Sequence, residues 1–442
     1  MQFVSALRRL WRHRLFRRLL AVRVAAQASD GLMQVALVSF VLFSPQRQPD
    51  AAAIATVLAV TLLPFSILGP FVSIVLDRWS RRQVLVLAEL IRAVLVLLLA
   101  GLVATGIRPG GEQTLIYVGV LLAMSLNRFI LAALSSALPH TIDSDEYLVA
   151  NSVVPTVGPA GALVGAGIGA ALRLSLGSVL PSHQVDGLLF AVAACGFAVS
   201  AGLALRIGRR ALGPDDVRPA QPREVVVGLV AALRHLRERS PAGLGLLAIG
   251  AHRIVYGIVT VAMILLYRKA FHPIDDVDAA LGDLALYGGV AGAGFVVGSV
   301  LTPPVAQRTG VRRLMIASLG AAAVFQVVPG AIYSRVPLLV AAFLLGLAAQ
   351  CIKICVDTLV QAHVDDELKG RVFVLYDMIF NLALVIAAVV GVFLLPDDGR
   401  SVPVLVGLAA AYAIMAAVFA VLSGRIGASA FERGRTQQVV SS

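Results

Sequence analysis

The amino-acid sequence predicts an all-α membrane protein in which twelve transmembrane helices form two bundles of six. Hydrophobic residues make up 59% of the 442 residues and charged residues only 14%, whereas soluble domains have about 25% charged residues. The apolar runs are about 20 residues long, which is enough for a helix to cross a hydrocarbon core of ~30 Å. Because backbone polar groups must be satisfied inside lipid, runs of this length are expected to be helices.

Length and polarity place six spans before a long polar break and six after it. The predicted spans are 19–43, 51–76, 83–106, 114–138, 148–173, 187–206, 242–267, 284–306, 313–333, 338–361, 371–395 and 402–423. The predicted domains are an N-terminal six-helix bundle (1–206), a linker (207–241), a C-terminal six-helix bundle (242–424) and a tail (425–442). Apolar residues recur at helical spacing over 225–236 and basic residues follow, which predicts an amphipathic linker helix on the inner leaflet.

The basic residues predict how the chain is oriented in the membrane. Most of the 37 Lys and Arg residues lie in the N-terminal tail, the linker and the other loops of one side. The opposite side carries Arg47, Arg108, Arg173, Arg268, Lys269, Arg335 and Arg400. By the positive-inside rule, we expect a multi-pass protein of the cell membrane with both termini in the cytoplasm. The net charge of +12 is then explained by the basic residues that orient the spans in the membrane. No nucleic-acid partner is expected.

The sequence gives no reason to expect a cofactor or a metal. Cys195, Cys351 and Cys355 lie inside apolar runs and form neither a disulfide framework nor a zinc-binding pattern. The sequence has no ATP-binding loop of the Gly-x-x-x-x-Gly-Lys type, so ATP is not expected to be the direct energy source.

A short basic motif occurs twice in the chain. Residues 77–82 read Asp-Arg-Trp-Ser-Arg-Arg after the second predicted span, and residues 307–312 read Gln-Arg-Thr-Gly-Val-Arg after the eighth. The two copies are 230 positions apart and occupy the same place in each half. They predict a duplication of six helices, as in transporter folds that are built from parallel repeats.

The first copy resembles the signature loop of the major facilitator superfamily, with Ser73 and Ser80 where the family usually has glycine. Other stretches resemble the exporter branch of that family, which contains enterobactin and macrolide efflux proteins: residues 128–129, 137–139, 353–361 and 370–381. The resemblance implies the major facilitator fold, in which spans one, four, seven and ten line a central cavity.

The resemblance also implies a gate on the inner face. In the family, a carboxylate at the position of Asp77 faces the N-terminus of span eleven, here near 370–372, where the helix dipole stabilises negative charge. The second copy begins with Gln307, which has no carboxylate. Only the first copy is therefore expected to form this contact between a carboxylate and a helix N-terminus. The expected gating residues are Asp77, Arg78, Arg81, Arg82, Arg308 and Arg312. Alternatively, the arginines of the first copy only set topology and bind anionic lipid headgroups.

Charged residues within the predicted spans are candidate functional residues, because each costs about 2.5–3.5 kcal/mol at bilayer depth. Span one carries a polar stripe at helical spacing, which is expected to face water or protein. The stripe consists of Arg23, Gln27, Asp30 and Gln34. The candidate proton-coupling and substrate-cavity residues are Arg23, Gln27, Asp30, Gln34, Arg128, Arg253, Lys353, Asp357 and Asp377. Asp30 is expected to bind the coupling proton, with Arg128 or Arg253 modulating its affinity. The alternative is a fixed structural ion pair.

Two further pairs of opposite charge share a helix face. Lys353 and Asp357 are four residues apart and are predicted to form a static pair, with a substrate or proton site as the alternative. Glu89 and Arg92 are three residues apart and are predicted to be structural.

Span five contains Gly158 and Pro159, which resemble the Gly-Pro motif of facilitator antiporters and favour export. Together these features predict a monomeric secondary transporter that uses a proton or other ion gradient to export a small amphipathic compound, such as a drug, siderophore or metabolite, by alternating access. An importer or lipid flippase on the same fold is the alternative. A third possibility, a membrane-embedded prenyl transferase, rests on acidic residues at 143–146 and 365–367, but no enzymatic activity is expected.

Overall fold

The computed structural model describes residues 10–42, 50–72, 79–106, 111–143, 147–213, 222–273, 276–327 and 332–431. All regular secondary structure in these ranges is helical. The helices are α1 (Arg14–Leu42), α2 (Ala51–Ile67), α3 (Arg81–Ala104), α4 (Gly111–Ala137), α5 (Tyr147–Leu176), α6 (Ser182–Leu205), α7 (Pro222–Glu238), α8 (Ser240–Leu265), α9 (Val277–Thr309), α10 (Val311–Val327), α11 (Arg335–His363), α12 (Asp366–Leu394) and α13 (Val402–Ile426). Twelve of them coincide with the predicted spans, and α7 coincides with the predicted linker helix.

The lengths of these helices match a bilayer. Within the described ranges, 11 helices are long and apolar enough to cross a membrane. The remaining predicted span corresponds to α10, of which 17 residues are described. The predicted all-α membrane fold is therefore confirmed.

The chain divides into two compact units. The first contains residues 1–48 and 59–225, and the second contains residues 49–58 and 226–442. In the first unit α1 packs along α5 and α6, while α3 packs along α4 and α6. In the second unit α8 packs along α12, α9 along α11, and α10 along α13.

Glycine allows α1 and α5 to touch through their backbones. A Cβ atom on Gly31 would overlap the carbonyl oxygen of Ala162, and one on Gly165 would overlap the carbonyl oxygen of Ala28. Such contacts are possible only without a side chain, and they are typical of helix packing in membranes, where dispersion replaces the hydrophobic driving force. Gly294 provides the same kind of contact between α9 and α11 in the second unit.

The linker helix α7 is amphipathic, but its apolar residues divide between two surfaces. Ala232 and Leu236 are buried in the core of the second unit. Arg239 follows the helix and donates two hydrogen bonds, of 2.9 and 3.1 Å, to the carboxylate of Asp365. The outward strip consists of Val226, Val227, Val230 and Leu233, which are about half exposed. The sequence did not show that Leu236 is buried in the protein, where it anchors the helix.

Candidate functional site

A fully buried polar cluster lies among α1, α3 and α6 of the first unit. Asp30 on α1 and both Glu89 and Arg92 on α3 are at most 1% exposed. The Arg92 guanidinium donates to Asp30 Oδ1 in a close ion pair and lies 3.5 Å from Glu89 Oε2. One cation therefore holds two carboxylates.

Neutral side chains complete the cluster. Gln27 Nε2 donates to Asp30 Oδ2 at 2.9 Å, and the Asn127 side chain on α4 also hydrogen-bonds to Asp30. Ser200 on α6 donates its hydroxyl to Glu89 Oε1 at 3.0 Å. The Arg92 guanidinium lies over the Phe197 ring, 3.9 Å from its centroid. The cluster thus joins four helices of one unit.

The charges of the cluster do not balance when both carboxylates are ionised. Two carboxylates and one guanidinium carry a net charge of −1, and none of the three groups reaches solvent. An uncompensated charge in such surroundings costs several kcal/mol. A single proton makes the cluster neutral. Because both carboxylates contact the same cation, a proton bound here would be shared by the pair rather than assigned to one residue.

A second buried ion pair in the same unit has one acid and one base. Arg173 Nε on α5 lies 3.7 Å from Asp186 Oδ1 on α6. Ser39 on α1 donates to the same carboxylate oxygen at 2.6 Å and accepts a hydrogen bond of 2.9 Å from Arg173 Nε. Both charged residues are 1% exposed. Sequence reasoning missed this pair, because it assigned Arg173 to the outer side and began the sixth span one residue after Asp186.

The polar stripe of α1 is divided by its surroundings. Gln27 and Asp30 belong to the buried cluster, whereas Gln34 is exposed. The Arg23 guanidinium lies against Gly158, where an added Cβ would be 3.0 Å from Arg23 Nε. Pro159 is exposed on α5. Gly158 therefore leaves space for an arginine of α1.

The cation beside Asp30 is Arg92, and the modulation of Asp30 by Arg128 or Arg253 stays a prediction. The Arg128 guanidinium lies over the Phe65 ring at 4.2 Å and donates to the Phe65 carbonyl oxygen at 3.5 Å. The signal for Arg92 was present in the sequence as the Glu89–Arg92 pair at a spacing of three. What the sequence did not reveal is that this pair faces α1.

The second unit holds the other candidate charges. Lys353 Nζ lies 2.7 Å from Asp357 Oδ2, as the spacing predicts, and their side chains are 36% and 26% exposed. Arg253 on α8 stacks over the Phe380 ring of α12, with 3.8 Å between the guanidinium carbon and the ring centroid. Asp377 is exposed on α12.

Three described arginines of the repeated motif, Arg81, Arg82 and Arg312, connect segments within their own unit. Arg81 donates to the Leu212 carbonyl oxygen at 2.8 Å, and Arg82 donates to the Leu205 carbonyl oxygen at 3.2 Å. The Arg82 bond ties the start of α3 to the last residue of α6, and the Arg81 bond ties it to the segment that follows α6. Asp77 and Arg78 lie outside the described residues. The contact expected between Asp77 and the N-terminus of span eleven therefore stays a prediction.

In the second unit, Arg312 occupies the position that Arg82 has in the first, 230 residues later. It donates to the Ser423 hydroxyl at 2.8 Å and to the Ala420 carbonyl oxygen at 3.1 Å, which ties the start of α10 to the end of α13. Arg308 is exposed. In both units, therefore, the motif joins the third membrane helix to the sixth.

Comparison with known proteins identifies relatives along nearly the whole chain. Residues 245–438 match the sequence profile of the Major Facilitator Superfamily. An uncharacterized MFS-type transporter of Mycobacterium bovis is 37% identical over 418 residues, which are 93% of this chain and 92% of the relative. An uncharacterized MFS-type transporter of Mycobacterium tuberculosis matches with the same values.

Solved structures show the same fold. The nucleoside transporter NupG has a TM-score of 0.67 at 13% identity and aligns with 92% of this chain and 99% of its own. A peptide transporter, POT, in complex with sulfate has a TM-score of 0.65 at 14% identity over 93% of this chain and 94% of its own. These relatives and neighbours are transporters, and the prenyl transferase alternative finds no support among them.

Proposed function

This chain belongs to the major facilitator superfamily, and on that premise we propose that it is a proton-coupled exporter of a small amphipathic compound. It works by alternating access, as a monomer in the cell membrane, with both termini in the cytoplasm. The observation that carries the coupling is the buried cluster in which Asp30 and Glu89 share the single cation Arg92.

The proton occupancy of this cluster controls how tightly the helices of the first unit pack. With one proton the cluster is neutral, and the dry contacts among α1, α3 and α6 are stable. Without it, a net charge of −1 favours hydration, and hydration requires these helices to separate. Because the cluster joins helices to one another, a change in its charge becomes a change in conformation. A proton that moves through 100 mV supplies ~2.3 kcal/mol for this step.

Export is the proposed direction because of α5. Gly158 and Pro159 resemble the antiporter motif, and Gly158 allows the Arg23 guanidinium to lie against α5. Such an exporter exchanges an outgoing compound for a proton that enters the cell. The proton then moves down its gradient across the cell membrane. The asymmetry of the basic residues supports the cytoplasmic location of both termini.

Asp30→Asn should abolish proton-driven transport without unfolding the protein. The variant keeps Glu89 and Arg92 as a balanced pair, so it needs no proton for neutrality and remains packed. The measurement uses inside-out membrane vesicles with two fluorescent dyes, the cation ethidium and the anion carboxyfluorescein. In wild-type vesicles a proton gradient should drive the accumulation of at least one of the two dyes, and an uncoupler should abolish this accumulation. The variant should accumulate no more dye than vesicles that lack the protein.

The control is Asp186→Asn, which removes the buried carboxylate of the second ion pair in the same unit. It breaks a balanced pair, so we expect a lower melting temperature but retained uncoupler-sensitive accumulation. Uncoupler-sensitive accumulation in Asp30→Asn vesicles would remove Asp30 from the mechanism. Accumulation in right-side-out rather than inside-out vesicles would reverse the proposed direction.

A further inference from the structure

Two arginines in membrane helices lack the partners that the other buried arginines have. Arg23 on α1 and Arg253 on α8 make no hydrogen bond and no ion pair with any residue that the structure describes, and each has at least one guanidinium nitrogen that is shielded from solvent. By contrast, Arg92 and Arg173 each contact a carboxylate. An arginine at bilayer depth is costly, and it usually pairs with an acid or lines a pathway.

The setting of Arg253 leaves its donors available. One face of the guanidinium is stacked on Phe380 at 3.8 Å. Tyr256, Tyr376 and Tyr412 lie close enough to interact with its charge. Stacking occupies the face of the planar group but not its edge, where parallel N–H donors match the two oxygens of a carboxylate, phosphate or sulfonate. The residue is half-buried, so these donors are partly desolvated.

The nearby acid of α11 does not neutralise Arg253. Asp357 contacts Lys353 on its own helix at 2.7 Å, so its charge is already compensated. The charge of Arg253 therefore has no counter-ion among the described residues of the second unit.

The repeat places Arg23 at the equivalent position in the first unit. Residues 23 and 253 are 230 positions apart, which is the offset of the repeated motif and of Arg82 and Arg312. The first membrane helix of each unit thus presents one uncompensated guanidinium. In the first unit, Gly158 provides the space that this group occupies.

We propose that the transported compound is an organic anion, and that Arg253 binds its acidic group. Phe380 orients the guanidinium, and the tyrosines around it contact the apolar body of the compound. The compound supplies the counter-charge that the protein lacks. This inference rests on the proposed transport function and narrows its substrate from an amphipathic compound to an amphipathic anion.

The first test is the stability of the protein without ligand. Arg253→Met removes an uncompensated charge and should raise the melting temperature in detergent. Arg312→Met removes an arginine that makes two hydrogen bonds and should lower it. Arg425→Met has the same change in net charge on an exposed residue of α13 and should leave the melting temperature unchanged. A fall in the melting temperature of Arg253→Met would overturn the inference, because it would show a structural arginine.

The second test is selectivity among three probes with one aromatic body: naphthalene sulfonate, naphthyl methanol and naphthyl trimethylammonium. Binding is measured by fluorescence to the full chain in nanodiscs, without a gradient. Wild-type protein and Arg425→Met should bind the sulfonate more tightly than the alcohol, and the ammonium most weakly. Arg253→Met should lose the preference for the sulfonate, and Arg253→Lys should keep it at a lower affinity.

A sulfonate that binds wild-type protein no more tightly than the alcohol would overturn the inference, as would unchanged selectivity in Arg253→Met. Since no gradient is applied, this result is independent of proton coupling. Selective binding of the sulfonate together with uncoupler-insensitive dye transport would support the anion site and contradict the proposed coupling.

Discussion

Replacing Arg92 with methionine is expected to destabilise the protein by about 3–5 kcal/mol, because it leaves the carboxylates of Asp30 and Glu89 buried without a cation. The change should appear as a large fall in the melting temperature of the purified protein in detergent, and as low expression. Adding Asp30→Asn and Glu89→Gln to this variant should recover most of the loss, since the cluster is then uncharged. The recovered protein should remain inactive in proton-driven transport.

Two comparisons make this prediction specific. Arg210→Met changes an exposed arginine of the same unit and should leave the melting temperature unchanged. Glu89→Gln alone should also be tolerated, because Asp30 and Arg92 remain as a balanced pair. If the triple variant were no more stable than Arg92→Met, the loss would come from missing packing against Phe197 and not from unbalanced charge.

Gly165→Ala and Gly167→Ala are expected to change stability in opposite directions, although they are the same substitution two residues apart on α5. A Cβ at position 165 would overlap the Ala28 carbonyl oxygen, so α1 and α5 must separate. Overpacking of this kind costs about 1–3 kcal/mol and occasionally more. A Cβ at position 167 meets nothing within 4 Å, and alanine stabilises a helix interior by roughly 0.5–1 kcal/mol relative to glycine.

The second unit offers the same comparison on α9. A Cβ on Gly294 would overlap the Phe343 carbonyl oxygen, whereas a Cβ on Gly292 meets nothing within 4 Å. Melting temperatures of all four single variants in detergent measure the effect. Equal shifts for the two members of either pair would show that the backbone contact does not hold those helices together.

The sequence predicted the helices because the cost of unpaired backbone groups in lipid leaves few alternatives. A run of apolar residues long enough to cross the bilayer must be helical, and the polar residues that end it mark the loop. The amphipathic α7 was likewise visible from its spacing. The division of its apolar residues between two surfaces could not be predicted. Periodicity shows which residues share a face of a helix, but not whether lipid or protein covers that face.

Contacts between helices were the part that the sequence left open. The spacing of Glu89 and Arg92 showed that they share a face of α3, but no local pattern shows that this face meets Asp30. Similarly, the glycines of α5 predicted a close helix contact, yet only the packing distinguishes Gly165, which touches α1, from Gly167, which does not. Asp186 was missed because polar residues at a helix end resemble loop residues, although here α6 begins at Ser182.

The most direct test of the central claim is infrared spectroscopy of the protein in lipid films at neutral pH. If Asp30 and Glu89 share one proton beside Arg92, the wild-type spectrum contains the carbonyl band of a buried protonated carboxylic acid. Asp30→Asn and Glu89→Gln should each lose that band, and Asp186→Asn should retain it. Absence of the band from wild-type protein, or its persistence in both Asp30→Asn and Glu89→Gln, would contradict a proton held by this cluster.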